Sequence, residues 1–299
     1  MQNIKISIND DKSIPIEPDV IMNRFDLQQS CDYIDLCIES QTGVKRVLVR
    51  IDKSTAEIGC FLMDLSEKEF EALICYIFGE YKNIKRIRYN NALNCFGAFK
   101  ENPQRYIDLP DSEDELNERL ARKNRYNLKR EKRLISDNIG EYRMIHYSVT
   151  ETPDEVMLFY FMSKKDIYKR DFHMTTEEYL TGQNVTDVYE LRTDSEILAV
   201  ALSCEQCKYT YFENFSYNTK YPKLSLGSII YNMYLCELIQ KGIKRVYLGS
   251  DLYDYKKHYG SIREQAYIGE VYRSKLFTDA VGALKAAYRT VYRKIKKRK

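Results

Sequence analysis

The residues best able to do chemistry crowd one short segment, residues 249–260, GSDLYDYKKHYG. It holds Asp251, Asp254, Lys256, Lys257 and His258, with Tyr253, Tyr255 and Tyr259, and Tyr247 lies just before it. The segment follows a strand-like run, Lys244 to Leu248, and the C-terminal ends of strands are where α/β sheets carry catalytic rims. A solvated, hydrogen-bonded loop accounts for the same residues equally well. A second feature lies upstream. Leu224-Ser225-Leu226-Gly227-Ser228 turns a strand into a helix, with Ser225 placed to cap and Gly227 able to let backbone approach a ligand. The free N–H groups of a helix start can bind an anion, although many helices begin with Ser and Gly without doing so.

Other chemistries are argued against by what the sequence lacks. The 299 residues contain no GxxxxGK[ST], GxGxxG or GxSxG motif and no Asp-x-Asp pair. Phosphate loops, dinucleotide fingerprints and nucleophile elbows are therefore not expected. His146, His173 and His258 are far apart, and Cys204-Glu-Gln-Cys207 has no second pair at zinc spacing. No metal is expected, and the CxxC reads as a hairpin turn with two incidental thiols. The eight cysteines are expected to be reduced. The N-terminal residues lack a signal-peptide core and no run of about 18 apolar residues occurs, so a cytoplasmic protein is expected. Net charge is +3, too small by itself to imply a nucleic-acid partner.

The elements that must position these residues follow from periodicity. Tyr33 to Glu39 and Val44 to Ile51 read as a hairpin. Ser66 and Glu69 form a capping box ahead of Phe70, Leu73, Ile74 and Ile77 at helical spacing. Arg86 to Tyr89 and Tyr106 to Leu109 read as strands. Ser112 caps a long helix, SEDELNERLARKNRYNLKREKRLI, acidic at its start and basic later, which suits the helix dipole. Its basic stretch, 119–133, is a phosphate-facing surface or a solvated face balanced by nearby acids. Glu141 to Tyr147 is a strand, and Pro153 opens a helix through Arg170. Val188 to Arg192, Ile197 to Cys204 and Tyr209 to Phe215 read as an antiparallel meander. A helix from Ser228 to Lys241, closed by Gly242, leads to strand Lys244 to Leu248. The two halves repeat strands, helix, strand, which predicts an α/β (mixed α+β) chain of two packed halves joined by charged helices.

Several of these pieces resemble the FemAB-like, CelD-like acetyltransferase family of the GNAT superfamily. They are Tyr217-Asn218-Thr219-Lys220-Tyr221, Ser225-Leu226-Gly227, and Gly249-Ser250-Asp251 with Tyr255-Lys256 and Gly260. The basic helix Leu120–Arg130 is similar too, and the likeness spans roughly residues 105–265. Leu226 stands where the family has Pro, Asn218 where it has Asp, and Ser250 enters the Gly-Asp turn.

The resemblance implies two GNAT-like halves, each a mostly antiparallel mixed sheet flanked by helices. The expected divisions are 1–111, a basic connector at 112–140, an acyl-CoA-binding half at 141–275, and an amphipathic helix at 276–299. It implies an acyltransferase using acetyl-CoA or another acyl-CoA, without metal. Backbone at Leu226, Gly227 and Ser228, with Ser225, would hold the pyrophosphate, and the strand ending near Phe215 would lie beside the thioester. Direct transfer needs a base, a proton donor for the thiolate and N–H groups facing the oxyanion. Base candidates are Glu213, Asp251 and His258, the last with a reference pKa near ~6.5. Tyr255 or Tyr259 would protonate the thiolate. Lys256, at the most characteristic family position, would hold a phosphate or acidic acceptor, or pair with Asp251.

The expected acceptor is an amino sugar in surface-polysaccharide synthesis. Two other readings stand beside this one. A FemAB-like aminoacyl transferase would use charged tRNA and bind it through 119–133; otherwise no nucleic acid is expected. An inactive GNAT-like scaffold would bind a partner or membrane. The C-terminal stretch DAVGALKAAYRTVYRKIKKRK is basic and amphipathic. Such a helix can lie on an anionic membrane, or dock on its own domain with a solvated basic end.

Overall fold

The computed structural model describes residues 4–11, 32–58, 65–92, 97–169, 185–205, 210–250 and 254–296. Two compact units result, residues 1–104 with 264–299, and residues 105–263.

In the first unit a seven-stranded sheet has the order β1-β2-β3-β4-β5-β14-β6. Its strands are β1 (Lys5–Ile8), β2 (Asp32–Ser40), β3 (Gly43–Asp52), β4 (Thr55–Ile58), β5 (Arg86–Ala92), β6 (Ala98–Glu101) and β14 (Tyr267–Tyr272). The expected hairpin is β2 on β3, in register from Asp32↔Ile51 to Ser40↔Gly43. Helix α1 (Glu67–Glu80) carries the chain from β4 to a parallel β5, and β4 is paired along its whole length. The capping box forms: Ser66 accepts the Glu69 N–H at 3.3 Å and Glu69 accepts the Ser66 N–H at 2.7 Å. Phe70, Leu73, Ile74 and Ile77 then bury one stripe of α1 against the sheet. Glu69 is itself buried. Desolvation raises its pKa, but donors from Ser40, Ser66, Thr42 and Lys45 outweigh that and hold it at about 2.

In the second unit the sheet order is β13-β7-β12-β11-β10-β9-β8. The strands are β7 (Gln104–Asp108), β8 (Tyr142–Ser148), β9 (Asp187–Thr193), β10 (Ile197–Cys204), β11 (Thr210–Tyr217), β12 (Arg245–Ser250) and β13 (Ile262–Glu264). β8 through β11 form the expected antiparallel meander. Helix α4 (Asp154–Tyr168) covers one face and α5 (Leu226–Gln240) the other. The period of two decides which residue goes where: Ala199 and Ala201 pack toward α5, Val200 and Leu202 toward α4. β10 is therefore apolar on both faces rather than alternating.

Two expectations change. The helix read from Ser112 is two helices, α2 (Glu113–Glu118) and α3 (Arg122–Asn138). Ser112 caps α2 as expected, but Ala121 takes an extended ψ of 143° while Leu120 is buried in the core. The chain also divides elsewhere than at 111, 140 and 275. β14 pairs with β5 and β6, and the C-terminal helix α6 (Lys275–Lys296) packs on β14 and β6, so both belong to the first unit. Residues 113–138 place Leu116, Leu128 and Ile135 in the second unit's core. Among the described residues no helix is long and apolar enough to cross a membrane.

Candidate active site

The site begins with a failure of pairing. β11 and β12 are parallel, and among the described residues they pair only at Thr210↔Val246 and Tyr211↔Tyr247. Both continue, β11 to Tyr217 and β12 to Ser250, so their C-terminal halves part. The bulge between Leu202 and Ser203 in the β10 register makes Glu213 the extra residue of β11, which bends the strand at the start of the gap. A cavity of about 510 Å³ opens here, lined by Phe215, Tyr217 and Tyr221 and by residues 224–228 at the start of α5. The Tyr217-to-Tyr221 segment forms its wall. Asn218 accepts the Lys220 N–H at 3.0 Å, and Tyr221 donates to Glu196, which fixes the turn.

The N-terminus of α5 is aimed at this cavity. Leu226 and Gly227 are first-turn positions whose N–H groups have no acceptor within the helix. Ser225 does not cap with its side chain; its own N–H donates to Glu131 at 3.1 Å, a carboxylate buried on α3. Gly227 has a local reason different from the expected one. A Cβ there would stand 2.5 Å from the Phe215 ring, so glycine admits that ring over the helix start.

A second, smaller cavity, of about 150 Å³, shares Ser225, Ser228, Tyr231 and Tyr255 with the first and adds His258, Tyr259 and Asn124. Tyr231 stands at the junction. It is 2% exposed, and its hydroxyl has no hydrogen-bond partner among the described residues. Burial, then the Tyr255 and Tyr259 hydroxyls, hold its pKa well above the ordinary value, so it is a fixed proton donor. Tyr255 meets Tyr231 and Phe215 edge-on, at centroid distances of 5.4 and 5.3 Å. His258 Nδ1 lies 3.3 Å from Asn124 Nδ2. With the amide in that orientation Nδ1 accepts and Nε2 carries the proton. Turning the amide over makes Nδ1 the donor and frees Nε2 as a base.

Of the residues singled out from sequence, Phe215, Ser225, Leu226, Gly227, Ser228, Tyr255, Tyr259 and His258 come together on these two cavities. Lys256 does not line them. It is 7% exposed and its ammonium folds back onto the Leu248 carbonyl at the end of β12. Asp251 lies outside the described residues, and so does the side chain of Glu213. Cys207 and His173 also lie outside them. Tyr231 was missed, because an aromatic at helical spacing reads as core, and its ring does pack on Phe212. Lys164 of α4 was missed too. It is buried, donates to Asn214 of β11 at 2.6 Å, and is lowered by desolvation to about 8.

Two further clusters need placing. On α3, Arg122, Arg125 and Lys129 have no carboxylate partner among the described residues, unlike Arg119, Arg130 and Arg133. They line a third cavity of about 530 Å³, beside a Tyr126 ring that is 66% exposed. His146, Asp187 and Glu205 lie within metal-ligand reach of one another. His146 is 2.8 Å from Asp187, while Tyr189 and Lys241 take the Glu205 oxygens at 2.5 and 2.9 Å. The Lys241 ammonium supplies the positive charge that a cation would otherwise bring.

Residues 122–257 match the family profile described as "Acetyltransferase (GNAT) domain". Comparison with curated protein sequences finds no match. Among solved structures, FemX superposes with a TM-score of 0.63 at 8% identity, over 87% of this chain and 92% of that one. L-PGS from Bacillus licheniformis gives 0.53 at 12% identity, over 92% and 99%. The C-terminal domain of a putative lysylphosphatidylglycerol synthetase from Agrobacterium fabrum gives 0.52 at 12%, over 82% and 85%. Each unit here has a helix crossing between two parallel strands inside an otherwise mostly antiparallel sheet, and with these likenesses the chain has the architecture of a duplicated GNAT-like α/β fold.

Proposed function

We propose that the chain is an acyltransferase that moves an acyl group, acetyl in the simplest case, from acyl-CoA to an amine or hydroxyl acceptor. The observation that carries this reading is the parting of β11 and β12 over a cavity into which the first turn of α5 directs N–H groups. A pantetheine arm fits an extended gap between strands, and its amides can take the pairings that β11 and β12 leave unmade. The N–H groups of Leu226 and Gly227 would receive phosphate oxygens. The acceptor's lone pair attacks the acyl carbonyl, its proton passes to His258, and the carbon–sulfur bond breaks. Tyr231, with Tyr255 beside it, is the donor for the departing thiolate. An amino sugar is the acceptor class carried over from the sequence resemblance.

A second reading rests on a separate observation. The Glu131 carboxylate already takes the Ser225 N–H, where it opposes a phosphate, while Arg122, Lys129 and Tyr126 lie exposed nearby with Arg125 half-buried among them. That pattern favours a donor carried on RNA, such as an aminoacyl-tRNA, with phosphates on α3 and a base on Tyr126. Calorimetric titration with acetyl-CoA, free CoA and bulk tRNA separates the two. Micromolar acetyl-CoA affinity that survives Arg122→Ala/Arg125→Ala/Lys129→Ala supports the CoA reading. Salt-sensitive tRNA binding that this triple variant abolishes, with no heat from CoA, replaces it with the second.

A further inference from the structure

Helix α6 is inside out. An amphipathic helix on a folded domain ordinarily buries its apolar stripe and wets its polar one. Here the contacts with the first unit's own sheet include buried polar anchors. Thr278 is buried and accepts the Tyr272 N–H at 2.9 Å, and Lys285 reaches the buried Glu270 at 2.6 Å. The side turned away carries Leu276, Leu284 and Tyr288, which are 84, 71 and 70% exposed, while Phe277 packs edge-on against Tyr272 of β14 at 4.9 Å. At about 100° per residue Leu276, Leu284 and Tyr288 share an arc of about 120°.

We propose that this outward face seats α6 on the surface of an anionic lipid bilayer, with the helix lying in the interface plane. The charge of the sequence chooses this occupant. Residues 289–299, RTVYRKIKKRK, hold seven Lys and Arg and no carboxylate, and Asp279 is the only acid in α6. A second copy of this chain would bring the same positive run to a shared interface and be repelled. An anionic bilayer offers an apolar interior for Leu276 and Leu284 beneath a negative surface for the basic run. The polar anchors, Thr278 and the Lys285–Glu270 pair, hold the helix to the sheet while its apolar face stays outward. This inference does not depend on the reaction proposed above.

The chain has no tryptophan, so Leu284→Trp introduces the sole indole, at a site exposed enough to accept it. The test uses the full chain with vesicles of phosphatidylcholine alone, or with about a third phosphatidylglycerol. Co-sedimentation of the unaltered chain and a blue shift of the indole are expected with the anionic vesicles only. Binding should weaken steeply between roughly 0.1 and 0.5 M salt. Arg293→Glu/Lys294→Glu should lower the affinity by about 25-fold or more, at roughly fivefold for each basic charge removed. Leu276→Glu/Leu284→Glu should abolish binding without changing the melting temperature. Equal binding to neutral vesicles, or binding to neither, overturns the proposal. So does self-association without lipid that Leu284→Glu abolishes, which would assign the face to a second copy.

Discussion

Replacing Gly227 by alanine tests whether the Phe215 ring, rather than a ligand, demands glycine at the start of α5. The added Cβ would stand 2.5 Å from Cε2 of Phe215 and 3.3 Å from Cδ2 and Cζ. Carbon atoms rest about 3.5–4.0 Å apart, so the ring must move by about 1 Å. It cannot swing freely, since Tyr255 packs against it edge-on at 5.3 Å. Overpacking of this kind costs about 1–3 kcal/mol, against which alanine's helix preference returns up to about 1 kcal/mol. The net expectation is a loss of about 1–2 kcal/mol. In a Phe215→Ala background the clash is gone and only the helix preference remains, so Gly227→Ala should there stabilise by up to about 1 kcal/mol. Urea midpoints of the four proteins in this cycle give the coupling directly. The sign of the Gly227→Ala effect must reverse between backgrounds. An effect of the same sign and size in both would refute the argument. The displaced ring enters the larger cavity, so acetyl-CoA affinity should fall in Gly227→Ala and recover in the double variant.

Two other outcomes follow from buried groups. Tyr231→Phe removes a hydroxyl that is buried without a partner among the described residues, so the protein should be as stable as wild type or firmer by about 1 kcal/mol. Its turnover, read as free thiol released from acetyl-CoA, should drop by about 100-fold; a variant with full turnover removes Tyr231 from the reaction. Lys164, held at about 8 rather than 10.5 by burial, costs stability while charged. That penalty of ~3 kcal/mol is fully present below pH 8 and is relieved as pH rises from about 8 toward 10.5. Urea midpoints should therefore climb across that window in wild type. Lys164→Met should be more stable at pH 7 and lose the slope, while the Phe215 N–H keeps its 2.9 Å bond to Asn214. A flat wild-type curve would show that the ammonium is not desolvated.

By itself the sequence determined the local elements and the segments from which the site is drawn. Ser66 with Glu69, the runs of branched residues in β2, β3 and β10, and Gly242 after α5 are short-range signals. A capping box, a period of two and a left-handed φ of 75° at Gly242 depend only on near neighbours along the chain. The same local chemistry marked residues 224–228 and Tyr255, His258 and Tyr259, which the fold brings onto two adjoining cavities. Long-range packing decided what such signals cannot carry. The break at Ala121 falls inside a run whose charge pattern suits a single helix, and Leu120 beside it is buried in the same core as Leu116 and Leu128. β14 joins β5 across more than 170 residues of sequence, and no periodicity announces that pairing. The burial of Lys256 onto a backbone carbonyl, the orphaned hydroxyl of Tyr231 and the ring of Phe215 over Gly227 depend on which side chains meet at the end of β12 and the start of α5. Desolvation and contact are properties of that meeting, so an aromatic that reads as core in the sequence is found at the junction of two cavities only in the tertiary structure.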